Sequence, residues 1–305
     1  MNRRNFLQST AATAAATILP NLDSVAAATP RPVAAGKIPI KVLATNWGWA
    51  GTFDEFCRKA KESGYDGFEV WVPGDEKQVA ALVETATAHG LQFGLMAGSW
   101  ARNFDEHFPQ YEKAVQLAAT AKPLYINTHA GRDHFSVDEN QKILETGLEI
   151  AASTGVPVLC ETHRGRSAFS ANATRELMER IPGLRLTADL SHWCCVHEGL
   201  LGGYEETVAM ALSRTDHVHA RVGHAQGPQV NDPRAPEWAD TVKAHLGWWD
   251  KIVENRAAAK AKHMTFLTEF GPPHYLPALP YTQQPVANQW DVNVHMMKLL
   301  RERYA

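Results

Sequence analysis

"PLYINTHAG", residues 123–131, "SVDENQKILETGLEIAASTG", residues 136–155, and "VPVLCETH", residues 156–163, follow one another almost without a break. The first and third are short apolar runs. The middle one is amphipathic, with Ser136 as its N-cap and Gly155 as its stop. A strand, a helix and a second strand in that order are the repeating unit of a parallel sheet. The same alternation extends in both directions, with further apolar runs at 40–47, 67–72, 92–98, 184–192, 216–222 and 264–271. Between two of the runs lies "TFDEFCRKAKESG", where Phe53, Phe56, Cys57 and Ala60 recur at helical spacing and Gly64 ends the pattern.

Eight strand–helix units in the remaining chain of about 270 residues predict one α/β domain, a (β/α)8 TIM barrel over residues 37–305. A doubly wound open sheet is the alternative, weakened because no G-x-G-x-x-G turn follows the first run. Two connections exceed the usual βα loop, after the seventh and the eighth runs, and both leave the strand ends where such barrels carry their sites. Their Trp238, Trp248, Trp249, Tyr275, Tyr281 and Trp290 offer flat faces suited to sugar rings, or anchors that pin the loops to the barrel.

Residues 1–36 read as an export signal and linker. Arg3 and Arg4, then Phe6 and Leu7, an alanine-rich stretch and the small residues Ala26–Ala28 resemble a twin-arginine signal cleaved near residue 28. An amphipathic tail is the other reading. The apolar run is too short for a stable membrane anchor, so the expected location is the periplasm or the exterior. A net charge of −3 gives no reason to expect a nucleic-acid partner. The four cysteines, at 57, 160, 194 and 195, are too few and too irregular for a disulfide framework, and a bridge between neighbours 194 and 195 would be strained. A homo-oligomer is compatible with all of this.

The chemistry is written at the ends of the last four runs. The C-terminal end of a buried strand should be apolar unless it builds a site, because a charge there is costly unless paired or metal-bound. The fifth run ends in Glu161 and His163, the sixth in Asp189 with His192 three residues on, the seventh in His219 and the eighth in Glu269. Singly, each could be a structural hydrogen-bonding group. Together, three carboxylates and an imidazole on four adjacent strands call for a divalent cation, with manganese, magnesium, cobalt and zinc all suited to such ligands. Side chains alternate along a strand, so His217 shares a face with His219 one step deeper and is read as an interior hydrogen-bonding residue. His224 begins the long loop, within reach of a substrate.

"GYDGFEVW" (64–71), "NTHAG" (127–131), "LCETHR" (159–164), "ADLSH" (188–192), "HVHARVG" (217–223) and "TEFGP" (268–272), in that order, resemble the xylose isomerase-like TIM-barrel superfamily, the sugar phosphate isomerase/epimerase group. The resemblance implies a metal held by Glu161, Asp189, His219 and Glu269, with His192 binding substrate or supporting a ligand. It also implies that Glu161 and Glu269 move the substrate proton through an enediolate, giving epimerisation or aldose–ketose isomerisation of a small carbohydrate. Epimerases of this group place a glutamate and an arginine where this chain has Ser167 and Ala225. Arg164, Arg166 and Arg221 are available instead, the first two as anion binders or as solvated loop charges. His129 and Glu69 are further candidate pocket residues. Rival functions are a lyase that eliminates the aglycone from a 3-keto glycoside, and a non-catalytic carbohydrate-binding barrel.

Overall fold

The computed structural model describes residues 38–304, so the expected signal, linker, cleavage site and the 36/37 boundary lie outside the described residues. Eight parallel strands form a closed barrel: β1 (Ile40–Thr45), β2 (Gly67–Trp71), β3 (Gln92–Gly98), β4 (Ile126–His129), β5 (Val158–Glu161), β6 (Leu186–Ala188), β7 (Thr215–His219) and β8 (Met264–Thr268). Each pairs with its successor, and β8 closes on β1 through Val42 opposite Phe266 and Leu43 opposite Leu267. The open-sheet alternative is thereby removed. Seven strands lie within their apolar runs, and β7 begins one residue before its run, at Thr215.

Around the barrel run α1 (Phe53–Ser63), α2 (Glu76–Ala88), α3 (Phe104–Thr120), α4 (Val137–Thr154), α5 (Ala171–Arg180), α6 (Leu190–Val196), α7 (Glu205–Ser213), α8 (Ala239–Ala258) and α9 (Gln289–Tyr304). Helices α1 and α4 begin with capping boxes, Thr52 with Glu55 and Ser136 with Glu139, and end at Gly64 and Gly155 in the left-handed region. Each such cap satisfies orphan backbone donors and is worth about 1 kcal/mol. Two helices, α6 and α7, separate β6 from β7, one more than the simple repeat requires. No described helix is long and apolar enough to cross a membrane.

Period-two alternation sorts the strand side chains into two sets. Val42, Ala44, Cys160, Val218 and Phe266 join the large core between sheet and helices. Leu43, Leu159 and Leu267, one residue out of step and joined by Tyr125, form a separate small cluster. Two residues further on, the same inward face carries Thr45, Glu161 and Glu269. The barrel is therefore plugged with leucine at its base and lined with carboxylates at its C-terminal mouth, and the step of two residues enforces the switch. All four cysteines are free, and Cys57, Cys160 and Cys194 are buried.

Candidate metal centre and pocket

Glu161 and His219 are the last residues of β5 and β7, while Asp189 and Glu269 lie one residue past β6 and β8. Asp189 also caps α6, accepting from the backbone N–H and the hydroxyl of Ser191. One ligand atom from each of Glu161, Asp189, His219 and Glu269 lies within 4.8 Å of the other three, and all four residues are buried. His219 Nδ1 is 2.8 Å from Glu269 Oε2 and 3.5 Å from Glu161 Oε1. None of these three atoms has a hydrogen-bond partner.

Unpartnered buried carboxylate oxygens are expensive, and these converge with an imidazole nitrogen on one point. The donor set fits a divalent cation, and the clustered residues form a divalent-metal site without fixing which metal. Burial pushes the Asp189 carboxyl up, Glu269 adds to it, and Arg221 pulls the other way. Burial would lower His219, but Glu269, Glu161 and Glu69 together hold it well above the usual imidazole range. Both directions describe a centre short of positive charge.

Glu69, 1% exposed, lies between the two β7 histidines, with Oε1 3.0 Å from His219 Nε2 and Oε2 3.3 Å from His217 Nε2. Burial would raise its carboxyl, but His219 and His217 outweigh that and hold it well below the carboxylate range. A carboxylate on the far nitrogen of a ligating imidazole fixes its orientation. His217 occupies the interior as expected: Nδ1 lies 3.0 Å from the Thr265 carbonyl, which can only accept, so Nε2 is free to accept from the Tyr125 hydroxyl at 2.9 Å. Asn127 ties the centre together by donating to Glu161 Oε2 at 2.8 Å.

Three more imidazoles flank Glu161. His129 Nε2 is 3.1 Å from Glu161 Oε2, the His163 ring lies tilted against His129 at 4.5 Å, and the His192 ring lies tilted against His163 at 3.8 Å. Burial holds His163 well below the usual range, with His129 adding to the effect. Burial does the same to His192, with His163 and Arg221 adding. Arg221 is 1% exposed; it donates to Asp189 and Ser191, lies 2.7 Å from His192 Nε2, and packs over the Tyr275 ring.

Over this floor stands a cavity of about 540 Å3 bounded by Glu69, His129, His163, Arg166, Arg221 and Glu269, with Trp47, Trp71, Trp100 and Tyr275 as its aromatic walls. Arg166 corrects the solvated-charge reading: it is 4% exposed, donates to the Ser99 carbonyl at 3.1 Å and lies 4.8 Å from the Trp100 ring. Arg164 is exposed outside this cavity, its guanidinium against Tyr275. His224 is also outside, in a small hairpin closed on Gly227 and packed on Trp238.

The aromatic walls differ from the sugar-facing loops expected from sequence. Trp249 is buried, Trp290 packs on Trp49, and Trp238 and Trp248 lean on the core, because long loops bury their largest side chains as anchors. Tyr275 alone of that set lines the cavity; Tyr281 is fully exposed. The tryptophans that face the cavity follow or end β1, β2 and β3. Trp47 is held there by Gly271, where a Cβ would come within 2.3 Å of the indole. His163 was legible as the next inward step after Glu161. Asn127 had no such signal.

Residues 57–265 match the family model described as xylose isomerase-like TIM barrel. The chain belongs to this family. Residues 1–20 match the TAT (twin-arginine translocation) pathway signal sequence, which addresses the protein for export. Among curated proteins, no sequence matches the chain. Similar solved structures include 3-keto-D-glucoside 4-epimerase from E. coli, at 15% identity and a TM-score of 0.58, covering 86% of this chain and 99% of that one. The probable 3-DHS dehydratase of petrobactin synthesis from Bacillus anthracis is 18% identical, with a TM-score of 0.56 and coverages of 86% and 99%. A xylose isomerase-like TIM barrel protein from Mycobacterium smegmatis in complex with magnesium is 10% identical, with a TM-score of 0.57 and coverages of 87% and 98%. At these identities the likeness is one of fold.

Proposed function

We propose that residues 37–305 form the catalytic domain of an exported, metal-dependent isomerase or epimerase acting on a sugar or keto-sugar derivative. The observation that carries this reading is the pair of carboxylates, Glu161 and Glu269, whose unpartnered oxygens both stand against His219 Nδ1, with Glu269 also lining the cavity. Glu161, Asp189, His219 and Glu269 hold the cation, with Glu69 orienting His219. The bound cation supplies Lewis acidity toward a substrate carbonyl and its neighbouring hydroxyl.

One glutamate takes the proton from the carbon beside the carbonyl, and the other returns it to that carbon or its neighbour. The neutral imidazole of His163 and the guanidinium of Arg221 offer hydrogen bonds to substrate oxygens, while His192, fully buried and outside the cavity lining, positions Arg221. His129, against Glu161, positions that carboxylate. Arg164 and His224 act only on substrate parts that project beyond the cavity. A keto-sugar is favoured because the fold recurs in a protein described as a 3-keto-D-glucoside 4-epimerase.

The test is exchange of a carbon-bound substrate proton with deuterated water, followed by NMR over a panel of keto-glucosides and free ketoses with manganese, magnesium, cobalt or zinc. Metal-dependent exchange is expected; none with any sugar sinks the reading. Elimination is the second reading, favoured by a cavity larger than one hexose ring needs, and release of free aglycone would identify it. A purely binding barrel gives no reason to converge buried oxygens of Glu161 and Glu269 without partners beside Asp189.

A further inference from the structure

Trp71 ends β2 and Trp100 follows β3, with ring centroids 5.4 Å apart and planes inclined at 41°. They are 38% and 67% exposed, and both rings also present edges to His129, Trp71 at 5.1 Å. Paired indoles left in water beside a site mark a binding surface, since apolar area is otherwise covered on folding. The same two residues also bound a second cavity, of about 450 Å3, whose outer wall comes from Val72, Gly98, Gln110 and Lys113. The inner and outer cavities therefore meet across one pair of aromatic faces. Each of the two volumes falls in the range of about 300–1000 Å3 that encloses a drug-sized ligand.

We propose that Trp71 and Trp100 form an outer subsite for the aglycone of a glycoside, and that this aglycone is a flat, aromatic group. The inference rests on the sugar reading of the inner cavity and extends it. The sugar ring sits over Glu161 and Glu269, and its glycosidic substituent leaves across the indoles toward Gln110 and Lys113. Indole faces hold a flat ring by stacking and tolerate variation in its substituents, whereas Gln110 and Lys113 favour one that carries hydroxyl or anionic groups at its far end. Buried Arg166, against Trp100, stiffens that wall.

Isothermal titration of the metal-loaded protein with methyl β-D-glucopyranoside and with 4-nitrophenyl β-D-glucopyranoside tests the subsite without requiring turnover. The aryl glucoside should bind about tenfold more tightly, the size of one aromatic stack. That advantage should vanish in Trp100→Ala and Trp71→Ala, each variant binding the aryl glucoside no more tightly than it binds the methyl glucoside. Equal affinities, no binding of either ligand, or an aryl preference that survives both substitutions would overturn the subsite. So would sedimentation showing that Trp100→Ala only dissociates a dimer, since the face would then belong to a second copy. Aryl preference without proton exchange leaves the subsite and removes the isomerase; exchange without aryl preference does the reverse.

Discussion

The two arcs of the barrel mouth are built from opposite materials. On the arc from β5 to β8 the inward rim residues are Glu161, Asp189, His219 and Glu269, all buried, with one ligand atom from each within 4.8 Å of the others. On the arc from β1 to β3 the rim carries Trp47, Trp71 and Trp100, each at least about a third exposed. Backbone geometry is the same on both arcs, so the contrast lies in side-chain chemistry alone. A crowded carboxylate arc is stable only with a cation, whereas an indole arc is stable empty and gains only when a ligand covers it. Glu69 on β2 is the exception, and it serves the charged arc by reaching across the barrel to His219 at 3.0 Å.

The strongest way to break this contrast is to neutralise the charged arc. Glu161→Gln and Glu269→Gln should each lose bound metal, read by elemental analysis, and slow proton exchange about 10²–10⁴-fold. Full metal content in either variant would dissolve the proposed ligand set. Glu69→Gln should do less, weakening metal binding about 10–100-fold by loosening the imidazole while leaving all four ligands in place. Competition against a chelator measures that step. A Glu69→Gln protein with unaltered metal affinity would make Glu69 a pocket residue only.

The charged arc was legible in the sequence and the aromatic arc was not, for a physical reason. Polar residues ending apolar runs conflict with burial, so Glu161, Asp189, His219 and Glu269 announced themselves, as did the eight runs themselves. Tryptophan conflicts with nothing, because it suits a loop anchor, a core and a site wall equally. The indoles of the long loops turned inward to pack, and those ending short strands turned to the cavity. Glu69 and His219 are 150 residues apart, and only closure of the barrel brings them together. The reach of Arg221 to Asp189 likewise depends on α6 following β6 directly, with Ser191 between them.

His245 offers a smaller lever on the charged arc through its scaffold. Buried on α8, its Nδ1 lies 2.9 Å from the Thr241 carbonyl, and its Nε2 accepts from the Gly223 backbone N–H at 3.2 Å, just past β7. Burial pushes this imidazole down to about 4 from an ordinary value of 6.5. The fold therefore favours the neutral form, so the stabilisation is complete above pH 6.5 and is lost as pH falls from there toward 4. Between pH 7 and pH 5 the loss is about 2 kcal/mol for this one group. Urea unfolding of His245→Gln should show a fall in stability over that interval smaller by this amount, the other histidines being common to both proteins. Equal falls would mean that His245 is not confined to its neutral form.

The smallest effect belongs to the aromatic arc, and its smallness is what makes it informative. Trp100 is 67% exposed and takes no hydrogen bond through its indole among the described contacts. Replacing it with alanine should lower unfolding stability by no more than about 1 kcal/mol, the size of the cation–π contact its largely exposed ring makes with Arg166. Metal content should equal that of the unaltered protein. A wall kept only for packing would register a larger loss, because removing a buried indole costs about 3–5 kcal/mol. A stability loss within that bound and unaltered metal content, measured by urea titration and elemental analysis on one preparation, would show that the exposed indole anchors neither fold nor cation, which leaves ligand contact as the role to which its position commits it.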